Sequence, residues 1–529
     1  MEVPLLVNDF LARAVKLYGP KEAMVDGDKR FTYAQYGARC YQFAHALKNL
    51  GVSKGDRVAI LSPNSHHFME AFYATSAIGA VLVPINYRLI ASDFEYIGNH
   101  SGAKVFLVDS DLTEVMDSLR PKLPAVQHYI VARFGNADLA AGWLDWEALI
   151  EGQPATPPSD PGLKESDLYS INYTSGTTAR PKGVMITHRN CYINAYNFIA
   201  HLRINHHDVE MWTLPMFHAN GWGGPFALPA MGAKHVVLRR VVAADMYRLI
   251  ENEGVTFACM APTVLATVLD YPDKDKHTIT TRPRFTIAGA PPPQRFVERL
   301  EKELGWEFMQ IYGLTETSPI LTVAEVKPHL NVEGGDLYRL KARAGHDALG
   351  VDIRVFGAND QEVPWDDTAI GEVAARSNVV FDGYWQQPDE TAKVFRNGYF
   401  FTGDLATVNS DGYINIVDRA KDIIISGSEN ISSIEVEDVL YKHPTVLEAA
   451  VIGVPSEKWG ETVMGLVVLR DGKSATEQEI IDFCRDNMAH FKAPTGVRFL
   501  DALPRTATGK LKKFELREQF WAGFARRVN

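Results

Sequence analysis

LYSINYTSGTTARPKG, residues 168–183, begins as a run of β-branched and aromatic residues and becomes a glycine flanked by hydroxyls and followed by two cations. The pattern predicts a strand over LYSINY, ending at Tyr173, that opens into a loop suited to an anion. Gly176 lets the backbone approach a polyphosphate, and consecutive amides form a concavity for it. The hydroxyls of Thr174, Ser175, Thr177 and Thr178 add donors, and Lys182 adds charge. A Walker A loop is excluded: counted from Gly176, it needs glycine at 181 and serine or threonine at 183, where the chain has Pro181 and Gly183. Taken alone, such a stretch is equally a polar surface loop.

Working outward, RVAILSPN, AVLVPIN, KVFLVD and HYIVARF precede this segment, and HVVLRR, RFTIAGA and EFMQIYG follow it, alternating with helical spacing. Short apolar runs between helices predict βα units and an α/β architecture. Thr32 and Gln35 form a capping-box pair ahead of Tyr36, Cys40, Phe43 and Leu47, which recur at helical spacing up to Gly51. GQPATPPSDPG, residues 152–162, reads as an exposed connection between subdomains. From about Ala342 the chain shifts to short strands and turns: DIRVF, GEVAARS, YFFTGDLATV and YINIVDR. After Arg419 it changes to a compact α+β stretch with a helix capped by Thr476 and Glu479. The expected organisation is a large N-terminal domain over 1–418, made of βα subdomains plus a β-rich one. A hinge at 419–422 and a small mobile α+β domain over 423–529 complete it.

At 529 residues, with 46% apolar and 22% charged residues, the chain has the composition of a multi-domain globular protein. A net charge of −11 argues against nucleic-acid binding, so an anionic substrate needs locally placed cations. Cys40, Cys191, Cys259 and Cys484 lack disulfide or zinc spacing and fit a reducing compartment. MEVPLLVNDFLARAVKLYG reads as an amphipathic helix and not as a signal peptide, and the longest nearly uncharged run, around Ala71 to Tyr87, is too short to span a bilayer. The expected setting is cytoplasmic, and a homodimer is left open. The pairs His66/His67 and His206/His207 have no carboxylate at metal spacing and read as loop residues.

Five further segments stand in order: IAGAPPP (287–293), IYGLTET (311–317), YFFTGDL (399–405), DRAKDIIISGSENIS (418–432) and PRTATGK (504–510). With YTSGTTARPKG they resemble the motifs of the adenylate-forming superfamily, in the acyl-CoA synthetase branch. The resemblance covers most of the chain. It implies ATP and coenzyme A as co-substrates, Mg²⁺, and a small carboxylic acid as the partner.

On that resemblance Tyr312 stacks on adenine beside a flat wall of Gly289 and Ala290, with Gly313 next to it; the alternative is a core tyrosine. Thr315 would donate to phosphate, and the hard oxygens of Glu316 would hold Mg²⁺. Asp404 accepts from the ribose hydroxyls with Arg419 assisting, although the two could instead form a structural ion pair. Lys510 brings the positive charge needed where a carboxylate attacks the α-phosphate. The nearby Lys512, Lys513 and Arg517 read as a solvated helix face. Lys421 matches the hinge, about which the small domain rotates after adenylation. Gly427, Ser428, Glu429 and Asn430, with Trp459 nearby, would line the channel for the coenzyme A arm. Ser428 stands where the family commonly has glycine, as does Ala179, and a residue with a Cβ strains a positive φ.

LPMFHANGWGG, residues 214–224, resembles the segment lining the acyl pocket, with His218 near the reacting carboxylate and Trp222 and Gly223 at the gate. Both large residues could equally be structural. No aspartate stands at His218 to hold a substrate amine, which argues against a peptide synthetase. The expected activity is an ATP-dependent acid:CoA ligase for a short- to medium-chain fatty or related acid. Long-chain or aromatic acids and an inactive nucleotide-binding protein are the alternatives.

Overall fold

The computed structural model describes residues 1–134, 139, 141–174, 180–289, 292–419, 422–426, 429–456, 458–505 and 511–521, with Asn430 described through its backbone alone. Among these residues, four sheets organise the chain. In an eight-stranded sheet, Arg57–Leu61 lies between Val81–Ile85 and Ala103–Asp109, and His128–Ala132 and Leu144–Asp145 extend it, all parallel. These strands are nearly continuous apolar runs because elements on both faces shield them; every residue of Val81–Ile85 is buried. Leu168–Thr174 joins Val81–Ile85 in parallel, and Lys182–Thr187 returns antiparallel beside it. The opening strand thus runs one residue beyond the LYSINY stretch that its sequence predicts.

Residues 152–162 are a correction to the subdomain reading. The strands on either side of them, Leu144–Asp145 and Leu168–Thr174, belong to the same sheet, so the segment separates nothing. Its prolines keep it out of the ladder. It lies instead across the helix Tyr33–Asn49, where Lys48 Nζ donates to Ser159 Oγ (2.8 Å) and Gln42 Nε2 to the Gln153 carbonyl (3.3 Å). That helix carries the expected capping box: Gln35 Oε1 accepts from the Thr32 amide at 2.8 Å and Thr32 Oγ1 from the Gln35 amide at 3.3 Å.

A second, nine-stranded sheet runs parallel through Glu22–Asp26, Lys234–Val237, Val209–Trp212, Phe257–Met260, Arg284–Ile287 and Glu307–Gly313, with antiparallel strands at both edges. Phe43, Phe68, Phe72 and Tyr73, from the helices Tyr33–Asn49 and His66–Ala77, share one apolar cluster with Trp212, Phe217 and Phe226. Each such fully buried side chain contributes roughly 1.5–3 kcal/mol, which binds the two sheets together.

The β-rich part forms a third, antiparallel sheet of Val351–Phe356, Gly371–Ser377, Tyr399–Val408, Phe395–Arg396 and Ile414–Arg419. From Ile424 onward the strands enter a fourth sheet, covered by the helices Ser433–Lys442, Glu477–Asn487 and Lys513–Trp521. Lys513 and Arg517 do not lie on a solvated face. Lys513 Nζ reaches Glu437 (2.8 Å) and Ser433 Oγ, Ser433 Oγ donates to Asp418 (2.6 Å), and Arg517, 5% exposed, pairs with Asp422 at 2.7 Å. Two cations that helical spacing assigns to solvent instead fasten the last helix to the chain around 418–422.

His66 and His67 are a second correction. They open the helix His66–Ala77, capped by Ser65, and are buried against Asp26 and Glu147, carboxylates 40 and 80 residues away that no local spacing reveals. His206 and His207 lie in an exposed turn, as expected. All four cysteines are buried and free. Among the described residues no helix is long and apolar enough to cross a membrane.

Candidate active site

Antiparallel register builds the first part of the site. Asp404 in Tyr399–Val408 pairs directly with Arg419 in Ile414–Arg419, and Arg419 Nε stands 3.3 Å from Asp404 Oδ1. Tyr312, at the end of Glu307–Gly313, donates its hydroxyl to Asp404 Oδ2 at 2.8 Å. Burial, and then the neighbouring carboxylate, push that hydroxyl well above the ordinary tyrosine range. The Thr402–Gly403–Asp404 turn is held by Glu372 Oε1, which accepts from the Gly403 amide at 3.0 Å, and by Thr402 Oγ1, which accepts from the Asp404 amide at 3.1 Å. Gly313 can only be glycine, because a Cβ there would sit 1.7 Å from the Pro319 carbonyl oxygen. Gly289 has φ +87° just past Arg284–Ile287.

A second part lies where the first and third sheets meet. Thr174 pairs with Lys182 across the hairpin, and Lys182 Nζ meets Glu390 at 2.6 Å and sits 4.8 Å above the Tyr384 ring. Hydrogen bonds from Lys182 and Lys393 hold the Glu390 carboxyl down to about 2. Tyr384 donates to Glu316 Oε1 at 3.0 Å, and its hydroxyl is pushed up by burial and by that carboxylate. Thr315, mostly buried, precedes Glu316 in a short helical turn. A cavity of about 330 Å³ is lined by Glu316, Glu372, Tyr384, Lys393, Thr402 and Gly403 among others. One carboxylate edging a polar cavity is the donor set Mg²⁺ accepts when phosphates and water complete its shell, so the residues fit that ion. Sequence reading missed Tyr384, Glu390 and Glu372. Gly383–Tyr384 is a two-residue strand with no periodicity, and the two glutamates resemble any surface charge.

The third part is backbone under strain. Ala219, Asn220 and Trp222 all have positive φ (40°, 48° and 59°), a cost of order 1–3 kcal/mol each. Asn194 holds the segment: its Nδ2 donates to the Trp222 carbonyl at 3.0 Å while its Oδ1 accepts from the Ile320 amide at 3.2 Å. Asn220 Nδ2 donates to Ser170 Oγ at 2.9 Å. Gly223, at φ +105°, leaves no room for a Cβ, which would lie 2.5 Å from Asn194 Nδ2. Trp222 packs with Phe198, Leu214, Ala288, Met309 and Ile311, and His218 stands partly exposed beside it in sequence.

In the fourth sheet, Ser426 pairs with Glu429 on one side and Gly460 on the other, which brings exposed Glu429 to the same end of the sheet as Trp459, itself 49% exposed with Lys458 Nζ 4.5 Å from its ring. Asn430 stands beside them in Glu429–Ile431. Ser175, Gly176, Thr177, Thr178, Ala179, Ala290, Lys421, Gly427, Ser428 and Lys510, together with the Asn430 side chain, lie outside the described residues.

The AMP-binding enzyme family matches residues 11–385, and the AMP-binding enzyme C-terminal domain matches 435–510. Among curated relatives, the chain is 38% identical to a 4-hydroxybutyrate–CoA ligase of Metallosphaera sedula, covering 98% of this chain and 94% of that one. It is 36% identical to a peroxisomal butyrate–CoA ligase of Arabidopsis thaliana, covering 98% and 93%. The crystal structure of an anthranilate CoA ligase in complex with anthranoyl-AMP superposes with a TM-score of 0.89 at 27% identity, covering 98% of each chain. The chain therefore belongs to the AMP-binding enzyme family, within the adenylate-forming superfamily and among relatives that are acyl- and aryl-CoA ligases.

Proposed function

We propose that this protein is an ATP-dependent acid:CoA ligase, acting on a short- to medium-chain fatty or related carboxylic acid. The observation that carries the nucleotide reading is the Tyr312–Asp404–Arg419 cluster, because a buried acceptor-only carboxylate beside an aromatic ring suits a ribose and its base. A carboxylate oxygen of the acid attacks the α-phosphorus, pyrophosphate leaves, and the thiol sulfur of coenzyme A then attacks the acyl carbon and releases AMP. Thr174, Ser175, Gly176, Thr177, Thr178 and Lys182 hold the phosphates. Lys510 places a positive charge on the crowded α-phosphate, and His218 orients the acid carboxylate. Glu316, next to Thr315, would hold Mg²⁺, which would supply charge neutralisation at the phosphates. Tyr384 supports this step by fixing Glu316 through its hydroxyl.

The small domain, from 423, turns about the 419–422 hinge at Lys421 and brings Gly427, Ser428, Glu429, Asn430 and Trp459 to the coenzyme A arm. The short-acid reading rests on the 4-hydroxybutyrate and butyrate relatives and on the Trp222 cluster, which leaves a bulky apolar wall at the gate. The anthranoyl-AMP complex favours a second reading, an aromatic acid. Cytoplasm is the proposed compartment, tested by fractionation against the peroxisomal setting in one relative's name. The activity test is purified protein with MgATP and short, medium, long and aromatic acids, with and without coenzyme A. Acid-dependent pyrophosphate with matching thioester supports the ligase and names its acid; pyrophosphate without thioester moves the acceptor elsewhere.

A further inference from the structure

The buried histidine pair lies far in sequence from every residue placed in the proposed ligase site. His66 and His67 follow Arg57–Leu61 at its carboxyl end, Glu147 follows Leu144–Asp145, and Asp26 closes Glu22–Asp26. Arg57–Leu61 has Val81–Ile85 on one side and Ala103–Asp109 on the other, so the chain winds away from it in both directions. In open α/β sheets the crevice at the carboxyl ends of such strands is where ligands bind.

Here three ligand atoms converge: one ring nitrogen from each of His66 and His67 and a carboxylate oxygen of Glu147 all lie within 4.8 Å of one another. His67 Nε2 is 2.8 Å and His66 Nε2 4.0 Å from Glu147 Oε1. Tetrahedral ligands about 2.05 Å from an ion are roughly 3.3 Å apart, so the His67–Glu147 contact opens by about 0.5 Å and the His66–Glu147 contact closes by about 0.7 Å to complete the set. The tautomers also suit it. His66 Nδ1 donates to Asp26 Oδ2 at 2.6 Å, which turns the Nε2 lone pair outward and provides the carboxylate that stands behind metal-binding imidazoles. His67 Nε2 donates to Glu147 Oε1 at 2.8 Å, and an ion takes the place of that proton; the buried His67 Nδ1, which has no hydrogen-bond partner, is free to receive it. Glu70, 1% exposed, is matched by Arg39, which also touches Glu147; among the described residues Asp26 and Glu147 pair with the two histidines and that shared guanidinium, with exposed Lys29 beside His66. Three carboxylates thus share the half-buried Arg39 guanidinium, the two imidazoles and exposed Lys29, an acid-rich setting that suits a dication. Glu147 is 44% exposed and edges a cavity of about 590 Å³, which provides an entry path.

We propose that His66 Nε2, His67 Nε2 and Glu147 bind one divalent transition-metal ion, Zn²⁺ by ligand type, with water in the fourth position. The ion ties together the first strand, the helix His66–Ala77 and the helix Trp146–Ile150, independently of the ligase site. Lys29 Nζ, 3.3 Å from His66 Nε2, occupies the approach and must swing out for the ion to enter. Lys29 is therefore a competitor of the metal.

The test is a Co²⁺ titration of the metal-stripped full chain followed by visible absorption, with Zn²⁺ added to displace it. The account expects one equivalent of Co²⁺ with a low-coordinate spectrum that Zn²⁺ abolishes. It expects the spectrum lost in His67→Ala and in the half-exposed Glu147→Gln, weakened about tenfold in Asp26→Asn and tightened in Lys29→Ala. Zn²⁺ should also raise the melting temperature of the wild type but not of Glu147→Gln, whose circular dichroism reports its fold. No stoichiometric cobalt spectrum, or one that survives in Glu147→Gln and ignores Lys29→Ala, overturns the site.

Discussion

The Asp404–Arg419 pair and the His66–His67–Glu147 cluster gather charge in different ways. The first is set by backbone register, since two paired residues on adjacent antiparallel strands have to face each other, and Tyr312 needs only to reach across. The second exists because three elements separated by up to 121 positions pack at one point, with half-buried Arg39 and buried Glu70 behind it. A ladder tolerates the loss of a charge, because its backbone bonds remain. A packed cluster does not, because the partner left behind is buried and unpaired. On the proposed reading the Asp404–Arg419 charges serve a ligand, while the charges around Arg39 hold the fold.

Lys510→Ala gives the largest expected effect on the first side: adenylation falls by about 10³-fold, while thioester formation from supplied acyl-adenylate survives. Half-reaction assays read both, and equal loss in the two would break the view that the small domain presents different faces in turn. On the other side, Arg39→Met leaves Glu70 buried without its cation and costs about 3 kcal/mol of stability, read by denaturant unfolding. An unchanged midpoint would erase the contrast with the ladder-held pair. Asp404→Asn should raise KM for ATP about 10- to 100-fold with little change in melting temperature; a large drop in melting temperature would make it a structural pair instead.

The smallest effect concerns Glu210, buried in Val209–Trp212 beside Gly224 with no hydrogen bond to Oε2. Burial, and then Asp208, hold its carboxyl protonated well above the usual range. The unfolded chain releases that proton above about pH 4.3 while the folded one keeps it, so this group's stabilisation is full at low pH and is lost as pH rises toward its folded pKa. Glu210→Gln should therefore gain melting temperature over wild type by about 2 °C or more on going from pH 5 to pH 8. A constant offset would show that Glu210 does not titrate with unfolding.

What local sequence could and could not reveal follows from the same contrast. Runs such as AVLVPIN, the Thr32/Gln35 capping box and the β-rich shift after Ala342 are short-range patterns, and the strands, cap and third sheet stand where they pointed. Motif order led to Asp404, Arg419, Tyr312 and Glu316. Tyr384 and Glu390 escaped because they act on Glu316 and Lys182 from segments with no periodicity, and the carboxylate partners of His66 and His67 escaped because they come from other elements. The proline-rich 152–162 segment misled because composition marks exposure, and an exposed strap across a helix has the same composition as a boundary.

The central claim is that the acid is activated by direct attack of its own oxygen on the α-phosphorus. Incubating the enzyme with MgATP, coenzyme A and an ¹⁸O-carboxylate-labelled substrate acid, then weighing the released AMP, tests it most directly. The account predicts one ¹⁸O atom in each AMP, carried there as the bridging oxygen of the acyl-adenylate when the thiol displaces it. Acyl-CoA formed with unlabelled AMP, or with the label in a phosphate product, would contradict it.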